Sequence, residues 1–283
     1  MTVNAPAKIN LYLDVLGKLE NGYHTIESIM QAVSLYDTVE VEADGKISLE
    51  CNESEVPLDE RNLAYKAAIR FFDKTGINGG AKIKIEKRIP VSSGLAGGST
   101  DAGATLIALN KIYGDPLTEE ELLAIGATLG ADVPFCMKGG CVLCRGIGEE
   151  MTALDSVGEY NVVIARGGEG VSTPAAYKAL DEMYGDGLAD KFADVNKTID
   201  ALDKRDIESL AKSMYNVFED VVLGTHSCAG YLKNKLDELG AVKAMMSGSG
   251  PAVFALFDSA EKAENAAEAL RSEGYKAYAV KTV

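Results

Sequence analysis

The sequence predicts an α+β protein built from two domains. Three observations carry that expectation. An alternating segment, residues 81–89, runs into a glycine-rich loop at 90–100 and then into helical spacing at Ala102, Leu106 and Leu109. A second series of elements restarts beyond Ala153 to Gly158, reading strand, helices, two strands, helix, strand. That order is compatible with a ferredoxin-like half. Finally, 283 residues suffice for two domains, and the expected division is 1–153 and 154–283.

In the first half, residues 8–16 alternate Ile9, Leu11, Leu13 and Val15 against Asn10, Tyr12 and Asp14. This is a strand with Lys8 and Asn10 on one face near its start. Glu20 to His24 reads as a turn, and strand signals follow at 38–43 and 46–51. Residues 61–74 are expected to be helical, with Leu63, Ala67 and Phe71 four apart. In the loop, Gly94, Gly97 and Gly98 clear the way for a close approach, and the first N–H groups of the following helix are free to hold an anion. No lysine lies between Arg88 and Lys111, and no Gly-x-Gly-x-x-Gly occurs, so neither common phosphate loop applies. Thr118 to Glu121 is a capping box, opening a helix with Leu122, Ile125 and Leu129 buried and Gly130 at its close. Ala131-Asp132-Val133-Pro134-Phe135 then sets a carboxylate at a helix end beside a stiff proline. Residues 141–145 form a strand and 146–149 a turn.

In the second half, 160–165 is a strand, and Ser172-Thr173-Pro174 caps a helix containing Tyr177, with Pro174 at the first helical position. Three helical stretches run from about Phe192 to Leu239. Strands at 242–246 and 252–257 are split by Ser247-Gly248-Ser249-Gly250-Pro251. A helix at 261–271 and a strand at 276–283 end the chain.

Composition narrows the function. Hydrophobic residues make up 47% and charged residues 25%, ordinary values for a soluble globular protein. No run approaches the length of a membrane span, and the N-terminus lacks the features of a signal peptide, so a cytoplasmic protein is expected. The net charge of -15 disfavours nucleic acid and membrane surfaces, though a cradle of N–H groups acts locally and still accepts a phosphate. Five cysteines, an odd number, argue against a disulfide framework, and Cys141-x-x-Cys144 stands without a second pair. Two histidines, His24 and His226, exclude a histidine-rich metal site.

The loop at 90–100, Gly130-Ala131-Asp132 and Ser247 to Gly250, together with Lys8, supply what phosphoryl transfer needs: a phosphate cradle, positive charge and a proton acceptor. Pro90 through Ala102 resembles the phosphate-loop signature of the GHMP kinases, and Pro6 to Leu11 and Ser247 to Pro251 are similar to that family's first and third motifs. Gly22-Tyr23-His24 with Gly130 to Phe135 resembles the branch of the family that acts on a cytidine diphosphate-linked methylerythritol in the non-mevalonate route to isoprenoid precursors.

The resemblance implies a two-domain GHMP kinase fold, with a ribosomal protein S5 domain 2-like N-terminal half that binds ATP and a ferredoxin-like C-terminal half. It implies an ATP-dependent, magnesium-requiring kinase that phosphorylates the 2-hydroxyl of the methylerythritol unit, as a monomer or homodimer, with no nucleic acid or membrane partner. Asp132 would accept the hydroxyl proton, and Lys8 would pair with Asp132 and orient the hydroxyl. Pro90, Val91, Ser92, Ser93, Gly94, Leu95, Ala96, Gly97, Gly98, Ser99 and Thr100 would surround the ATP phosphates, and Asn62 and Leu63 would flank the adenine. Ala96, Thr100, Ser92 and Ser93 depart from the family's more usual residues, and Ala96 excludes a backbone angle that glycine allows. His24 would recognise the cytosine edge, with Tyr23 and Tyr177 stacking on its ring; the family usually carries phenylalanine at Tyr177. Asn10, Thr173, Ser249 and Gly250 would complete the acceptor site. A homoserine- or mevalonate-type kinase of the same family, or a non-catalytic ligand-binding member, is the alternative expectation.

Overall fold

The computed structural model describes residues 1–154, 158–185 and 193–283. Three residues of the expected domain boundary, 155–157, and the expected helix start at Phe192 lie outside the described residues. The chain forms two compact units: Met1–Ala7, Leu35–Val91 and Ala96–Gly139 in the first; Lys8–Ser34, Ser92–Leu95 and Gly140–Val283 in the second. Strands β1 (Thr2–Lys18) and β2 (His24–Asp44) run through both.

In the first unit, residues 38–44 of β2 pair antiparallel with β4 (Gly80–Glu86), which pairs parallel with β3 (Ser48–Cys51). Helices α1 (Leu63–Thr75), α2 (Gly97–Ile112), α3 (Glu119–Leu129) and α4 (Val133–Lys138) supply the rest. The strands show why they form: in β4, Ala81, Ile83 and Ile85 are buried while Lys82, Lys84 and Glu86 are exposed. Their apolar face packs with Val39, Val41, Phe71, Leu106 and Leu109 in one core cluster. The Thr118 capping box that opens α3 is present, with Thr118 Oγ1 accepting from the Glu121 amide.

The second unit holds a four-stranded antiparallel sheet of β7 (Asn161–Arg166), β9 (Lys243–Met246), β10 (Val253–Phe257) and β11 (Lys276–Lys281). Its order, β11-β7-β10-β9, places the last strand beside the first and the third between first and second, which is the ferredoxin-like arrangement. Helices α9 (Ser227–Glu238) and α10 (Ala260–Ser272) pack on it through Leu232, Leu236, Ala266 and Leu270. The unit also holds α5 (Thr173–Tyr184), α6 (Val195–Asp203), α7 (Ile207–Ser213) and α8 (Glu219–Val222). Strands β5 (Cys141–Arg145) and β6 (Glu150–Ala153) pair with each other, and β5 also pairs with residues 28–31 of β2. The two-residue strand β8 (Tyr215–Asn216) runs parallel to β1 at Tyr12 and Leu13.

Several elements differ from the periodicity-based expectation. Residues 24–37 extend β2 although they do not alternate, because both faces are covered: Ser28 to Val33 are buried without interruption. Likewise the polar row of β1, Lys8, Asn10, Tyr12 and Asp14, is as buried as its apolar row. Asp132 does not end α3; it is the N-cap of the short helix α4, whose proline sits in the first turn. Gly97 to Thr100 are the first turn of α2 rather than loop. Thr173, not Pro174, opens α5. Among the described residues, no helix is long and apolar enough to cross a membrane.

Candidate active site

Residues 90–100 divide between the units. Pro90 is buried and Val91 half-buried at the end of a first-unit segment, and Ala96 returns the chain to that unit. Ala96 takes φ 59°, ψ 26°, the left-handed conformation, and N-caps α2 without a side-chain hydrogen bond. So the alanine does not avoid the angle glycine would take; it adopts it. Ser92 is also left-handed, at φ 51°. Beyond Ala96, the N–H groups of Gly97, Gly98 and Ser99 open a 16-residue helix. Leu63 approaches the same turn: its Cδ1 lies 3.8 Å from where a Cβ on Gly98 would stand. Asn62 N-caps α1, its Oδ1 accepting from Ala64 N at 2.8 Å.

Beneath this turn lies a buried charge cluster that motif reading missed. Lys87 Nζ donates to Asp101 Oδ2 at 2.8 Å and to Asp37 Oδ2. Asp37 Oδ1 also accepts from the amides of Arg88, at 2.6 Å, and Ile89, at 2.8 Å. Lys87 Nζ stands 3.0 Å from a Cβ placed on Gly97, directly below the helix start. Burial pushes the Asp101 carboxyl up to about 7; Lys87 pulls it back, and Asp37 adds to the rise. Two atoms on the first turns of α2, Asp101 Oδ1 and Thr100 Oγ1, are buried without a protein partner. Lys87 and Asp101 flank the loop in sequence, but Asp37 stands far upstream in β2, and spacing alone could not bring the three together.

Asp132 also belongs to the first unit, half-buried at the start of α4. It is brought close to α2 by small residues. A Cβ on Gly103 of α2 would stand 2.8 Å from Met137 Cγ of α4, and one on Gly130 would stand 3.9 Å from Ser99 Oγ.

In the second unit, the residues 92–95 are stitched to the turn 247–250. Ser247 Oγ donates to the Gly94 carbonyl at 3.1 Å, Ala252 N donates to the Ser93 carbonyl at 3.1 Å, and Lys8 N donates to the Leu95 carbonyl at 3.2 Å. Gly94 is held at φ 82°, and a Cβ there would fall 2.2 Å from the Ser247 carbonyl oxygen. Asn216 in β8 braces the turn from below, donating from Nδ2 to the carbonyls of Met246, at 2.7 Å, and Gly248, at 2.9 Å. Lys8 is 4% exposed, and its Nζ donates to Asn10 Oδ1 at 2.6 Å. Asn10 Nδ2 donates to Ser28 Oγ at 2.9 Å, and Ser28 Oγ donates to the Tyr12 carbonyl at 2.8 Å. The relay sets the ammonium at a defined height on β1 and fixes the Asn10 amide. Thr173 and Ser249 share a hydrogen bond between hydroxyls 2.8 Å apart.

A second cluster of the same unit surrounds His24. Its Nε2 lies 2.7 Å from Asp181 Oδ1, and its ring stacks on Tyr177 with centroids 4.6 Å apart and planes 21° apart. Tyr177 meets Phe218 edge-on at 4.9 Å. Lys18 Nζ reaches Asp181 Oδ2 at 2.6 Å. Burial works to raise the Asp181 carboxyl, but hydrogen bonds from Lys18 and His24 outweigh it and hold the group below the usual carboxylate range. Tyr23 is 62% exposed and takes no part in the stack. Asp181 and Lys18 were not anticipated, because they sit on elements whose pairing only the fold reveals.

The two cysteines of Cys141-x-x-Cys144 are buried in β5 as free thiols, and burial, reinforced by Cys144, pushes Cys141 up to about 12, far from a reactive thiolate. Among the described residues, no group of three or more His, Cys, Asp or Glu could hold a metal ion.

Comparison with known proteins bears on these geometries. The model of the GHMP kinases N-terminal domain matches residues 62–140, and that of the GHMP kinases C-terminal domain matches 198–276. A 4-diphosphocytidyl-2-C-methyl-D-erythritol kinase of Clostridium novyi is 43% identical over 286 residues, covering all of both chains. A crystal structure of a 4-(cytidine 5'-diphospho)-2C-methyl-D-erythritol kinase superposes with a TM-score of 0.84 at 34% identity, over 100% of this chain and 99% of the other. A homoserine kinase of Cytophaga hutchinsonii shares the fold, with a TM-score of 0.74 at 21% identity over 100% and 94% of the two chains. With matched N- and C-terminal models and full-length identity of this order, the chain belongs to the GHMP kinases, in the family of 4-diphosphocytidyl-2-C-methyl-D-erythritol kinases.

Proposed function

We propose that the chain transfers the γ-phosphoryl group of ATP to the 2-hydroxyl of 4-diphosphocytidyl-2-C-methyl-D-erythritol, a step on the non-mevalonate route to isoprenoid precursors. The observation that carries this reading is the 43% identity, over the whole of both chains, with a curated kinase of that name. In this reading Asp132 accepts the proton of the 2-hydroxyl while the oxygen forms its bond to the γ-phosphorus. The bond from that phosphorus to the bridging oxygen breaks, and ADP leaves. Lys8, held by Asn10, orients the hydroxyl. The N–H groups of Gly97 to Ser99, with Pro90 to Ala96 leading into them and Thr100 following, receive the phosphates, and Asn62 and Leu63 border the adenine.

Magnesium belongs to the same reading and supplies positive charge on the transferred group. The residues present fit such an ion: Ser99 and Thr100 are hard oxygen donors on the first turn of α2, and the buried Thr100 Oγ1 has no protein partner. On the acceptor side, Tyr23, His24 and Tyr177 take the cytosine, while Asn10, Thr173, Ser249 and Gly250 line the polyol end. A functional division at residues 1–153 and 154–283, a cytoplasmic location and a monomeric or homodimeric state complete the proposal.

The test is phosphoryl transfer from ATP to 4-diphosphocytidyl-2-C-methyl-D-erythritol, mevalonate and homoserine. Turnover of the cytidine compound alone is the expected result. Asp132→Asn should lower kcat by roughly 10²–10⁴-fold with little change in the KM for ATP. Turnover of mevalonate or homoserine instead would sink the reading of Tyr23, His24 and Tyr177. ATP binding with no turnover of any acceptor would leave a ligand-binding role.

A further inference from the structure

The contact between His24 and Asp181 has a chemical consequence that the mere presence of a histidine does not. A neutral imidazole carries its single N–H on one nitrogen and a lone pair on the other. Asp181 holds His24 Nε2 at 2.7 Å through Oδ1, and Lys18 holds the other carboxylate oxygen at 2.6 Å. A carboxylate engaged from both sides stays ionised and can only accept, so the proton of a neutral His24 lies on Nε2. Nδ1 is left with the lone pair, and among the described residues it has no hydrogen-bond partner. The ring cannot turn over freely to exchange the two nitrogens: its side chain is 6% exposed and its face lies on Tyr177.

We infer that Asp181 is a positioning residue that fixes His24 as the Nε2–H tautomer, so that Nδ1 accepts from the exocyclic amine of the base and selects cytosine over uracil. The inference rests on the proposed role of His24 at the cytosine edge and goes one step further, to which edge is read and what sets it. Cytosine presents an N–H donor at ring position C4; uracil presents a carbonyl oxygen there. An acceptor at Nδ1 pairs with the first and meets the second lone pair to lone pair. The opposite tautomer, or the imidazolium, would present a donor and reverse or remove the preference. Discrimination by a positioned polar group is strong because the wrong base leaves a buried group unpaired.

The experiment has two readouts. Long-range nitrogen–proton correlation spectra of the imidazole rings report directly which nitrogen is protonated, and His226→Gln assigns the only two histidine signals. Binding of CDP and UDP is measured in parallel, with wild type and Asp181→Asn. An asparagine keeps the shape but can donate or accept, so it no longer dictates the tautomer. The expected result is a pyrrole-type Nε2 and a pyridine-type Nδ1 in the free protein, a shift of Nδ1 on adding CDP, and preference for CDP over UDP. In Asp181→Asn that preference should fall about tenfold or more, and the KM for the cytidine substrate should rise with kcat little changed. A protonated Nδ1 in the free wild-type protein overturns the inference, whatever the variant does. The expected tautomer with no response of His24 to CDP overturns it together with the cytosine reading of His24. A response to CDP with an unchanged CDP/UDP ratio in Asp181→Asn overturns the inference alone and leaves the subsite reading standing.

Discussion

Single residues in this chain are set by neighbours that sequence spacing does not reveal. Ala96 is held left-handed at the start of α2, where an L-residue with a Cβ is strained by roughly 1–2 kcal/mol. Ala96→Gly should therefore stabilise the protein by roughly 0.5–1 kcal/mol, after the extra freedom of glycine in the unfolded chain is subtracted. A melting curve that does not move upward would show that the loop pays no such strain. Asp101 offers a pH test. Its carboxyl is pushed up to about 7 in the fold, so folding takes up a proton that the unfolded chain releases at the ordinary carboxylate range. The sign follows: this group's contribution is best at acid pH and is lost as pH rises toward 7. Asp101→Asn should remove that slope, so the melting temperature of the variant relative to wild type should climb as pH rises from the ordinary carboxylate range toward about 7 and level off above it. A constant difference across that range would mean that the proton is not held there.

At the scale of elements, close approaches between short segments hold the candidate residues within each unit. The segment 92–95 and the turn 247–250 touch backbone to backbone at Gly94, where a Cβ would stand 2.2 Å from a carbonyl oxygen. Gly94→Ala combines that clash with an unfavourable φ of 82°. It should cost about 2–4 kcal/mol, seen as a drop in denaturation midpoint, and should raise the KM for ATP as the turn is pushed away. A variant with unchanged midpoint and KM would mean that the two backbones are not in contact. Helix α4 is positioned in the same way, against Gly103, and so carries Asp132 toward the first turn of α2. The strand β1 does the opposite job: it is buried on both faces, so its polar row is held in place, and Lys8 is bonded to Asn10.

For the whole molecule, the net charge of -15 and the polyanionic ligands of the proposed reaction pull in opposite directions. Backbone N–H groups and a helix start act within a few ångströms, whereas the net field reaches about a Debye length, ~8 Å at physiological ionic strength. Salt should then screen the repulsion more than the attraction. The value of kcat/KM for ATP should rise about twofold between low and physiological ionic strength, at fixed free magnesium. A steep fall would indicate instead that surface cations steer the nucleotide.

Amphipathic periodicity, turn residues and caps are local, and they were legible: β4, the capping box of α3, the strands around 160–165 and 252–257, and a glycine loop opening a helix all follow from side chains within a few positions of each other. Where both faces of a strand are covered, as in residues 24–37, alternation disappears and local reading fails. The motifs named the residues of the candidate site, Lys8, His24, Gly94, Asp132 and Ser249 among them. They could not say that Lys8 is bonded to Asn10, that Lys87 is buried between Asp37 and Asp101, or that Asp181 holds one nitrogen of His24. The sequence by itself determined the order of elements, the α+β class and a glycine loop that opens a helix, because those depend on neighbours in the chain. Only the tertiary structure decided which buried charges are paired and which ring nitrogen is engaged, because those depend on groups 14 to 157 residues apart brought within hydrogen-bond reach.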